Sequence, residues 1–352
     1  MKLSQDNIDL IKKFGATPID KLSDKPDFIT FENKVIASHR DFDKFFTALK
    51  KKEKCAILSG LNASGTLHLG HKAVFDTNLF FQKKYNIPVF IPISDDESYV
   101  AGKVETQGQA LTNSKKLAKE LIAYGFDPKN TFFIIDQIYT NIYNLAIKLS
   151  KKVNYSEIKA TYGYKPKDNI GLHFYPAVQS AHIMFPQDKF NIPNILVPIG
   201  PDEDAHIRIS RDLATRFGYK KPAILHAAFL PGITGDKMST SKPNSAIFLS
   251  DDEKTIRKKI SKAFSGGQVT IEEHRKKGGN PEVDVSCIYL KSLFLSEKEY
   301  NKIERKYKSG EYLTKDIKKL FADKAVEFIK EFQNNLKNLD DKIIEKAILK
   351  ND

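Results

Sequence analysis

Short apolar runs alternate with longer amphipathic stretches through the first two thirds of the chain. The apolar runs that predict strands cover residues 55–58, 88–94, 131–136, 194–200 and 223–229. Between these runs, apolar residues recur at helical spacing, most clearly over 113–124 and 204–217. Alternation of strands and helices is typical of an α/β fold with a parallel sheet.

This alternation is interrupted once and later stops. Residues 137–190 mix helical and polar segments, which predicts a helical insertion. After Gly279 no strand pattern follows, and apolar residues from Ile317 to Ile343 recur at helical spacing. The pattern therefore predicts an α/β body followed by a helical region.

Composition narrows the class of protein. The 57 basic and 44 acidic residues give a net charge of +13, which favours a polyanionic partner, although a lysine-coated surface explains it equally well. The only cysteines, Cys55 and Cys287, are not part of a metal-binding pattern, so we predict no metal site. The first residues have no signal-peptide pattern, and no apolar run is long enough to span a membrane. We therefore expect a cytoplasmic protein.

The first candidate for chemistry follows the first predicted strand. Residues 56–71 read AILSGLNASGTLHLGH, and we predict a helix that begins near Leu67 and carries His68 and His71 on one face. Helix N-termini bind phosphates, and Gly70 leaves the backbone open to a flat base. The segment indicates a nucleotide triphosphate pocket in which the imidazoles donate hydrogen bonds to phosphoryl oxygens. A surface histidine pair or two metal ligands would fit this segment alone equally well.

The second candidate follows the last predicted strand. Residues 231–248 read PGITGDKMSTSKPNSAIF, and their small and turn-forming residues predict a mobile loop. Lys237 would stabilise a leaving pyrophosphate in the transition state if the loop closed over it. An ordinary exposed turn explains the composition of this segment as well.

Taken together, the two segments resemble the paired signatures of class I aminoacyl-tRNA synthetases. HLGH at 68–71 is similar to the first signature and KMSTS at 237–241 to the second, with Thr240 in place of the usual second lysine. The block AFSGGQVTIEEHRKKGGNPEVDVSCIYL at 263–290 resembles archaeal and eukaryotic tryptophanyl-tRNA synthetases, and the resemblance runs in order from about Ile36 onward.

The resemblance implies a domain organisation. It divides the chain into an N-terminal extension at 1–50, a catalytic domain at 51–262 and an anticodon-binding domain at 263–352. The catalytic domain would have a Rossmann-like parallel sheet and a helical insertion at about 137–190, and the C-terminal domain would be all-α.

The resemblance also implies three groups of site residues. The catalytic residues would be His68, His71 and Lys237. The ATP-binding residues would be Gly60, Gly70, Gly200, Asp202, Met238, Ser239 and Ser241. The amino-acid-binding residues would be Glu97, Gln179, Leu58, His182 and Glu203, with Glu97 and Gln179 holding the α-amino group. Capping or charge compensation at helix N-termini explains the acids at 95–97 and 202–203 equally simply.

Some ring-pocket residues depart from the family's pattern. Leu58 stands where many relatives have a tyrosine, Pro92 where they have a glutamine that meets the indole N–H, and Glu203 where glutamine is usual. A buried indole N–H needs an acceptor, and we expect His182 or Glu203 to provide it. Archaeal-type tyrosyl enzymes place an acid near the position of His182. The sequence around His182 contains no such acid, which disfavours tyrosine.

The implied reaction has two steps. Tryptophan would react with ATP, bound with Mg²⁺, to give tryptophanyl-adenylate and pyrophosphate, and the acyl group would pass to the 2′-OH of the terminal ribose of tRNA(Trp). The resemblance implies a homodimer and gives no reason to expect DNA or a membrane as partner. Three alternatives stay open: the same chemistry on tyrosine, a small-molecule adenylyltransferase, and a non-catalytic RNA-binding paralogue.

Overall fold

The strands of the chain form one sheet. The computed structural model describes residues 5–235 and 245–351. Its strands are β1 (Thr17–Pro18), β2 (Ile36–Arg40), β3 (Cys55–Leu58), β4 (Leu61–Asn62), β5 (Val89–Ser94), β6 (Thr131–Ile135), β7 (Asn194–Ile199) and β8 (Ala223–Ala227). All five predicted strands are confirmed, with ends that differ by at most two residues.

The helices account for most of the remaining regular structure. Up to the end of the predicted insertion they are α1 (Gln5–Lys12), α2 (Ile29–Glu32), α3 (Phe42–Lys50), α4 (Lys72–Tyr85), α5 (Asp95–Val100), α6 (Gln107–Tyr124), α7 (Ile142–Ser150), α8 (Tyr155–Tyr162) and α9 (Ile170–Phe190). The later helices are α10 (Asp204–Phe217), α11 (Glu253–Ser261), α12 (Ile271–Lys277), α13 (Val285–Tyr289), α14 (Glu297–Lys308), α15 (Thr314–Asn338) and α16 (Asp341–Ala347). No helix in the described ranges is both long enough and apolar enough to cross a membrane.

The sheet is mixed rather than purely parallel. Its order is β1-β2-β8-β7-β3-β5-β4, with β6 also paired to β5. The strands from β3 to β8 pair in parallel, as predicted, whereas β1 and β2 are antiparallel to their neighbours. The apolar pattern did not reveal β2 because it contains Ser38 and His39. Both are buried, and the Ser38 hydroxyl forms a 2.9 Å hydrogen bond with His226 Nδ1.

Helices cover the sheet and continue beyond it. Insertion helices α7 and α9 pack on each other, and α10 packs on α9. The regular elements described after residue 250 are helices, and α15 packs on both α6 and α11. The end of the chain returns to the sheet, where the Leu349 N–H donates to the Phe133 carbonyl at 2.9 Å. The helical region is thus in contact with strand β6.

The two edges of the parallel strands differ in backbone geometry. Helices α3, α4 and α9 each end close to a left-handed residue (Lys52, Asn86 and Asn191), and the following strand then begins at the amino-terminal edge. The loops at the carboxyl edge follow β3, β5, β7 and β8. Ligands of open α/β sheets bind at this carboxyl edge.

Candidate active site

A cavity of about 650 Å³ opens at the carboxyl edge of the sheet. Its walls come from the segments that follow β3, β5, β7 and β8 and from helix α9. The predicted site residues among its lining are Leu58, Gly60, His68, Gly70, His71, Glu97, Gln179, His182, Gly200, Asp202 and Glu203. These are all the predicted site residues that the structure describes. Lys237, Met238, Ser239 and Ser241 lie outside the described residues.

The residues that flank 236–244 are bonded to each other, and those that follow lie against the histidine motif. The Leu69 N–H donates to the Ile247 carbonyl at 2.9 Å, and the Leu249 N–H donates to the Leu67 carbonyl at 2.9 Å. Before the gap, the Ile233 N–H donates to the Ser245 carbonyl at 2.9 Å. Residues 247–249 therefore lie against the motif that carries His68 and His71.

The two histidines meet in a way that the sequence did not predict. His68 is extended (φ −136°, ψ 167°) and caps a short 3₁₀ turn over Leu69–His71, and helix α4 begins only at Lys72. The prediction that both histidines lie on one face of a helix starting near Leu67 is therefore wrong. Their rings nevertheless stack with centroids 4.0 Å apart, because the extended N-cap residue lets each side chain fold over the turn.

Backbone hydrogen bonds and burial affect the protonation of both rings. The Gly70 N–H donates to Nδ1 of His68 at 3.1 Å, and the His68 N–H donates to Nδ1 of His71 at 3.1 Å. A ring nitrogen that accepts from an N–H carries no proton, so the neutral ring of His68 keeps its proton on Nε2. Nδ1 of His71 also lies 3.2 Å from the His68 carbonyl, so the contacts of His71 fit a proton on either ring nitrogen. Burial lowers the pKa of His68 to about 3, with a further contribution from His71, and lowers the pKa of His71 to about 4. At neutral pH both imidazoles are thus uncharged, and His68 is an Nε2–H donor.

Glu97 is already bound to a cation. Its Oε1 accepts a hydrogen bond from Nζ of Lys103 at 2.7 Å, and its Oε2 accepts from the side-chain amide of Asn62. The Glu97 side chain is 12% exposed, and both partners line the same cavity. A carboxylate held in this position recognises an ammonium group.

Gln179 lies under an aromatic wall. Its Oε1 accepts a hydrogen bond from the Tyr162 hydroxyl at 2.6 Å, and the Tyr162 ring stacks on His206 with centroids 4.0 Å apart and an angle of 4°. Tyr162 comes from α8 in the insertion and His206 from α10. The insertion therefore positions Gln179 and covers part of the cavity.

The turn after β7 combines a glycine with two acids. A Cβ atom on Gly200 would lie 2.7 Å from Oδ1 of Asp202, so any side chain at this position would displace the carboxylate. The Glu203 carboxylate accepts from Nδ1 of His206 at 3.0 Å, and this hydrogen bond lowers the pKa of Glu203. Glu203 is therefore already paired, which weakens the expectation that it accepts an indole N–H.

The sequence analysis missed the acid that contacts His182. Oδ1 of Asp136 lies 2.7 Å from Nε2 of His182, and both side chains are almost completely buried. Asp96 adjoins Asp136, and the Tyr143 hydroxyl donates to Asp96 at 3.3 Å. An acid is therefore present beside His182, although it comes from the end of β6 and not from the same helix. The only sequence signal was its position at the end of a predicted strand.

Comparison with known proteins agrees with this arrangement. The family model described as "tRNA synthetases class I (W and Y)" matches residues 50–330. The tryptophan–tRNA ligase of Methanocaldococcus jannaschii is 40% identical over 333 residues, covering 92% of this chain and 90% of the relative. The human cytoplasmic tryptophan–tRNA ligase is 36% identical over 357 residues, covering 95% of this chain and 75% of the relative.

Solved structures show the same fold over the whole chain. The tryptophanyl-tRNA synthetase of Aeropyrum pernix superposes with a TM-score of 0.89 at 30% identity, covering 99% of this chain and 97% of that chain. The tryptophan-bound enzyme of Encephalitozoon cuniculi superposes with a TM-score of 0.88 at 29% identity, covering 99% of both chains. The chain therefore belongs to the tryptophan–tRNA ligase family of class I aminoacyl-tRNA synthetases, which are ATP-dependent ligases.

Proposed function

We propose that the chain activates L-tryptophan with ATP to form tryptophanyl-adenylate and transfers the tryptophanyl group to tRNA(Trp). The observation that carries this proposal is the single cavity that all the described site residues line. The turn with His68 and His71 lines this cavity together with residues 227–230, and the Leu69 N–H donates to the Ile247 carbonyl. An early and a late part of the chain thus surround a single space that has room for ATP and an amino acid.

The proposed chemistry depends on placement and charge. The tryptophan carboxylate attacks the α-phosphorus in line, and pyrophosphate leaves. His68 donates from Nε2 to phosphoryl oxygens, and His71 would do the same in the tautomer that carries its proton on Nε2. Because both rings are neutral, Lys237 would supply the positive side-chain charge that stabilises the leaving group.

Recognition of the amino acid is proposed to use the carboxylate that Lys103 now occupies. The α-ammonium group of tryptophan would take the place of the Lys103 ammonium at Glu97, and Gln179 would provide a second oxygen. Gly200 and Asp202 would hold the ribose, with Gly60 and Gly70 beside the base and phosphates. Met238, Ser239 and Ser241 are proposed ATP contacts on the same segment as Lys237.

Mg²⁺ is proposed to bind through ATP rather than through side chains. Among the described residues, Asp95, Asp96 and Asp136 bring carboxylate oxygens within 4.8 Å of one another. The Asp95 carboxylate, however, accepts from the backbone N–H of Asp136 at 2.9 Å and from the side chain of Gln137 at 2.6 Å. These acids therefore do not fit Mg²⁺, and we assign no step to a protein-bound ion.

The remaining proposals concern assembly and partners. We infer that the helical region at 263–352 reads the anticodon, that 51–262 is the catalytic domain and 1–50 an N-terminal extension, and that transfer uses the 2′-OH of the terminal ribose. The net charge of +13 supports an RNA partner. We also infer a homodimer, which sedimentation would detect as twice the 39.9 kDa chain mass. The cytoplasmic human relative supports a cytoplasmic location.

The decisive experiment is pyrophosphate exchange with each of the twenty amino acids. We expect exchange with tryptophan alone, and a fall of about 10²–10³ in the Lys237→Ala variant, because removal of one charge-stabilising donor has this effect in other enzymes. Lys254→Ala is a matched control, since Lys254 is exposed on α11.

Each alternative predicts a different result. Exchange with tyrosine would indicate the sister enzyme, and tRNA binding without any exchange would indicate a non-catalytic paralogue. Adenylyl transfer to a small molecule without aminoacylation would indicate an adenylyltransferase. Near-normal exchange in Lys237→Ala would contradict the proposed role of the lysine.

A further inference from the structure

His182 and Asp136 form a buried pair against the wall of the cavity. Nε2 of His182 and Oδ1 of Asp136 are 2.7 Å apart, with 2% and 0% of the side chains exposed. His182 lines the cavity, together with the apolar side chains of Leu58, Pro92 and Val197. The same cavity is also lined by polar side chains, among them Tyr175 and Gln179 on the helix that carries His182.

The second oxygen of Asp136 has an unusual environment. Oδ2 is buried and accepts no hydrogen bond from any N–H or O–H of the described residues, whereas the side chain of Asp96 lies beside Asp136. Burial raises the pKa of Asp136 well above its ordinary value, and burial together with the charge of Asp136 raises the pKa of Asp96 to about 8. A proton shared between these two carboxyl groups would satisfy the orphan oxygen.

Other titratable groups also face this pair of acids. The ionisable side chains around it are Asp95, Tyr143, Tyr175 and His182. Burial raises the pKa of both tyrosines and lowers the pKa of His182 to about 4, so all three are neutral at pH 7. No lysine or arginine of the described residues hydrogen-bonds to Asp96 or Asp136. A proton is therefore the simplest source of compensation for the two acids.

The location of that proton fixes the tautomer of His182. With the shared proton on the Asp96 side of Asp136, Oδ1 stays an acceptor, and the neutral ring donates to it from Nε2. Nδ1 then carries a lone pair. If the proton instead lay on Oδ1, the ring would carry its proton on Nδ1 and would present a donor. The acid pair thus decides whether the ring offers a ligand an acceptor or a donor.

We propose that Nδ1 of His182 accepts a hydrogen bond from the indole N–H of tryptophan. Asp136 is then a positioning residue, because the proton that it shares with Asp96 keeps His182 in the tautomer whose Nδ1 is an acceptor. This inference rests on the proposed function. Indole N–H is a donor only, so one acceptor satisfies it completely. A phenol hydroxyl also has acceptor lone pairs, which would need a donor of their own. The pair therefore favours tryptophan over tyrosine.

The test compares tryptophan with benzothienylalanine, in which sulfur replaces the indole N–H and the shape is kept. In the wild-type protein we expect kcat/KM for exchange to be about 10–100-fold higher with tryptophan, because the analogue leaves Nδ1 buried and unpaired. In His182→Ala the two substrates should differ by less than about threefold. His182→Asn retains a δ-position acceptor and should recover part of the preference. A purely structural role for His182 would lower both rates and leave their ratio unchanged.

Asp136→Asn tests the positioning role separately. An amide offers Nε2 a donor as readily as an acceptor, so the tautomer is no longer fixed. We expect KM for tryptophan to rise by about tenfold with little change in kcat, and the preference over the analogue to decrease. His226→Ala is the matched control, because His226 is a buried partner of Asp204 that does not line the cavity. The His226→Ala variant should prefer tryptophan over benzothienylalanine as strongly as the wild-type protein does.

The outcomes separate this inference from the proposed function. Absence of tryptophan-dependent exchange in the wild-type protein would reject the function itself. Exchange with an unchanged preference in His182→Ala would reject only the inference. If His182→Ala does not fold, ¹⁵N-histidine NMR spectra of the wild-type protein test whether Nδ1 of His182 accepts the indole N–H. Tryptophan, but not benzothienylalanine, should shift an unprotonated Nδ1 signal that is missing in His182→Asn, and an unshifted signal would overturn the proposal.

Discussion

Two buried histidine–aspartate pairs lie on the same sheet, and they differ in what surrounds the acid. His226 on β8 contacts Asp204 at 2.9 Å, and its other nitrogen is 2.9 Å from the Ser38 hydroxyl. Asp204 also accepts two hydrogen bonds from Arg40, at 2.7 and 2.9 Å. Although burial alone would raise it, His226 and Arg40 hold the pKa of Asp204 well below its usual range.

The pair of His182 and Asp136 has no such cation, and Asp136 has a second acid, Asp96, as its neighbour. Asp204 is therefore a charged acid with its hydrogen bonds satisfied, and the ring beside it has both nitrogens occupied. Asp136 depends on a proton, and the ring beside it has one nitrogen left for a ligand. Histidine and aspartate thus form a structural pair where every polar atom has a hydrogen-bond partner. They form a candidate recognition site where one ring nitrogen has none.

The largest effect should come from removing the cation of the structural pair. Arg40→Met removes two hydrogen bonds from the buried Asp204 carboxylate and leaves it with His226 and with Arg208, whose Nε is 3.2 Å from Oδ2. We therefore expect the free energy of unfolding to fall by about 3 kcal/mol, the lower end for breaking a buried ion pair. Urea unfolding measures this loss. The preference for tryptophan over benzothienylalanine should not change, because Arg40 does not line the cavity.

A surface pair nearby is the control for this change. Lys44 bonds to Asp41 at 2.6 Å with 69% of its side chain exposed, so Lys44→Met should cost less than about 1 kcal/mol. Equal stability of the Arg40 and Lys44 variants would show that the ion pair of Asp204 does not hold the structural site together.

A smaller effect, a gain in stability, is expected from a substitution at Asp96, beside the pair of His182 and Asp136. The pKa of Asp96 is about 8 in the fold and 3.8 in a free side chain, so the folded state binds the proton more tightly between these values. Stability should therefore fall as the pH rises from about 4 to about 8 and level off above that. Asp96→Asn cannot ionise, and its amide can donate to the orphan oxygen of Asp136. We expect it to exceed the wild-type stability by at least about 2 kcal/mol at pH 8.5.

Urea unfolding from pH 4.5 to 8.5 measures this difference. Asp341→Asn is a suitable control because Asp341 is 79% exposed, and its curve should follow the wild type. If the free energies of unfolding of Asp96→Asn and the wild-type protein differed by the same amount at every pH, Asp96 would not hold a proton in the folded state.

The contrast between the two pairs also shows how far the sequence predicts this molecule. The parallel strands could be predicted because buried strands are continuous apolar runs. Strand β2 could not, because it contains Ser38, which is buried with a hydrogen-bond partner, His226, that only the folded chain supplies. An apolar pattern detects burial by the hydrophobic effect and misses burial that hydrogen bonds make possible.

The same limit applies to the candidate site. His68, His71 and Glu97 were identifiable because their sequence motifs are local. Asp136 was not, because its meeting with His182 depends on the packing of α9 against the end of β6, 46 residues away in sequence. The extended conformation of His68 was also missed, since spacing alone does not distinguish a helical residue from an N-cap residue.

The smallest expected effect concerns the imidazoles of His68 and His71, which we propose bind phosphate and which have no acid partner among the described residues. Burial lowers the pKa of His68 to about 3 and that of His71 to about 4, so both rings are already neutral at pH 5.5. The rate of tryptophan-dependent exchange should therefore change by less than about twofold from these groups between pH 5.5 and 7.5. An ordinary histidine, with a pKa near 6.5, would give a clear inflection in this range. An inflection near pH 6.5 that disappears in His68→Asn would show that the His68 imidazole becomes charged in this pH range. His68 would then differ from His182, which we propose acts as a neutral ring.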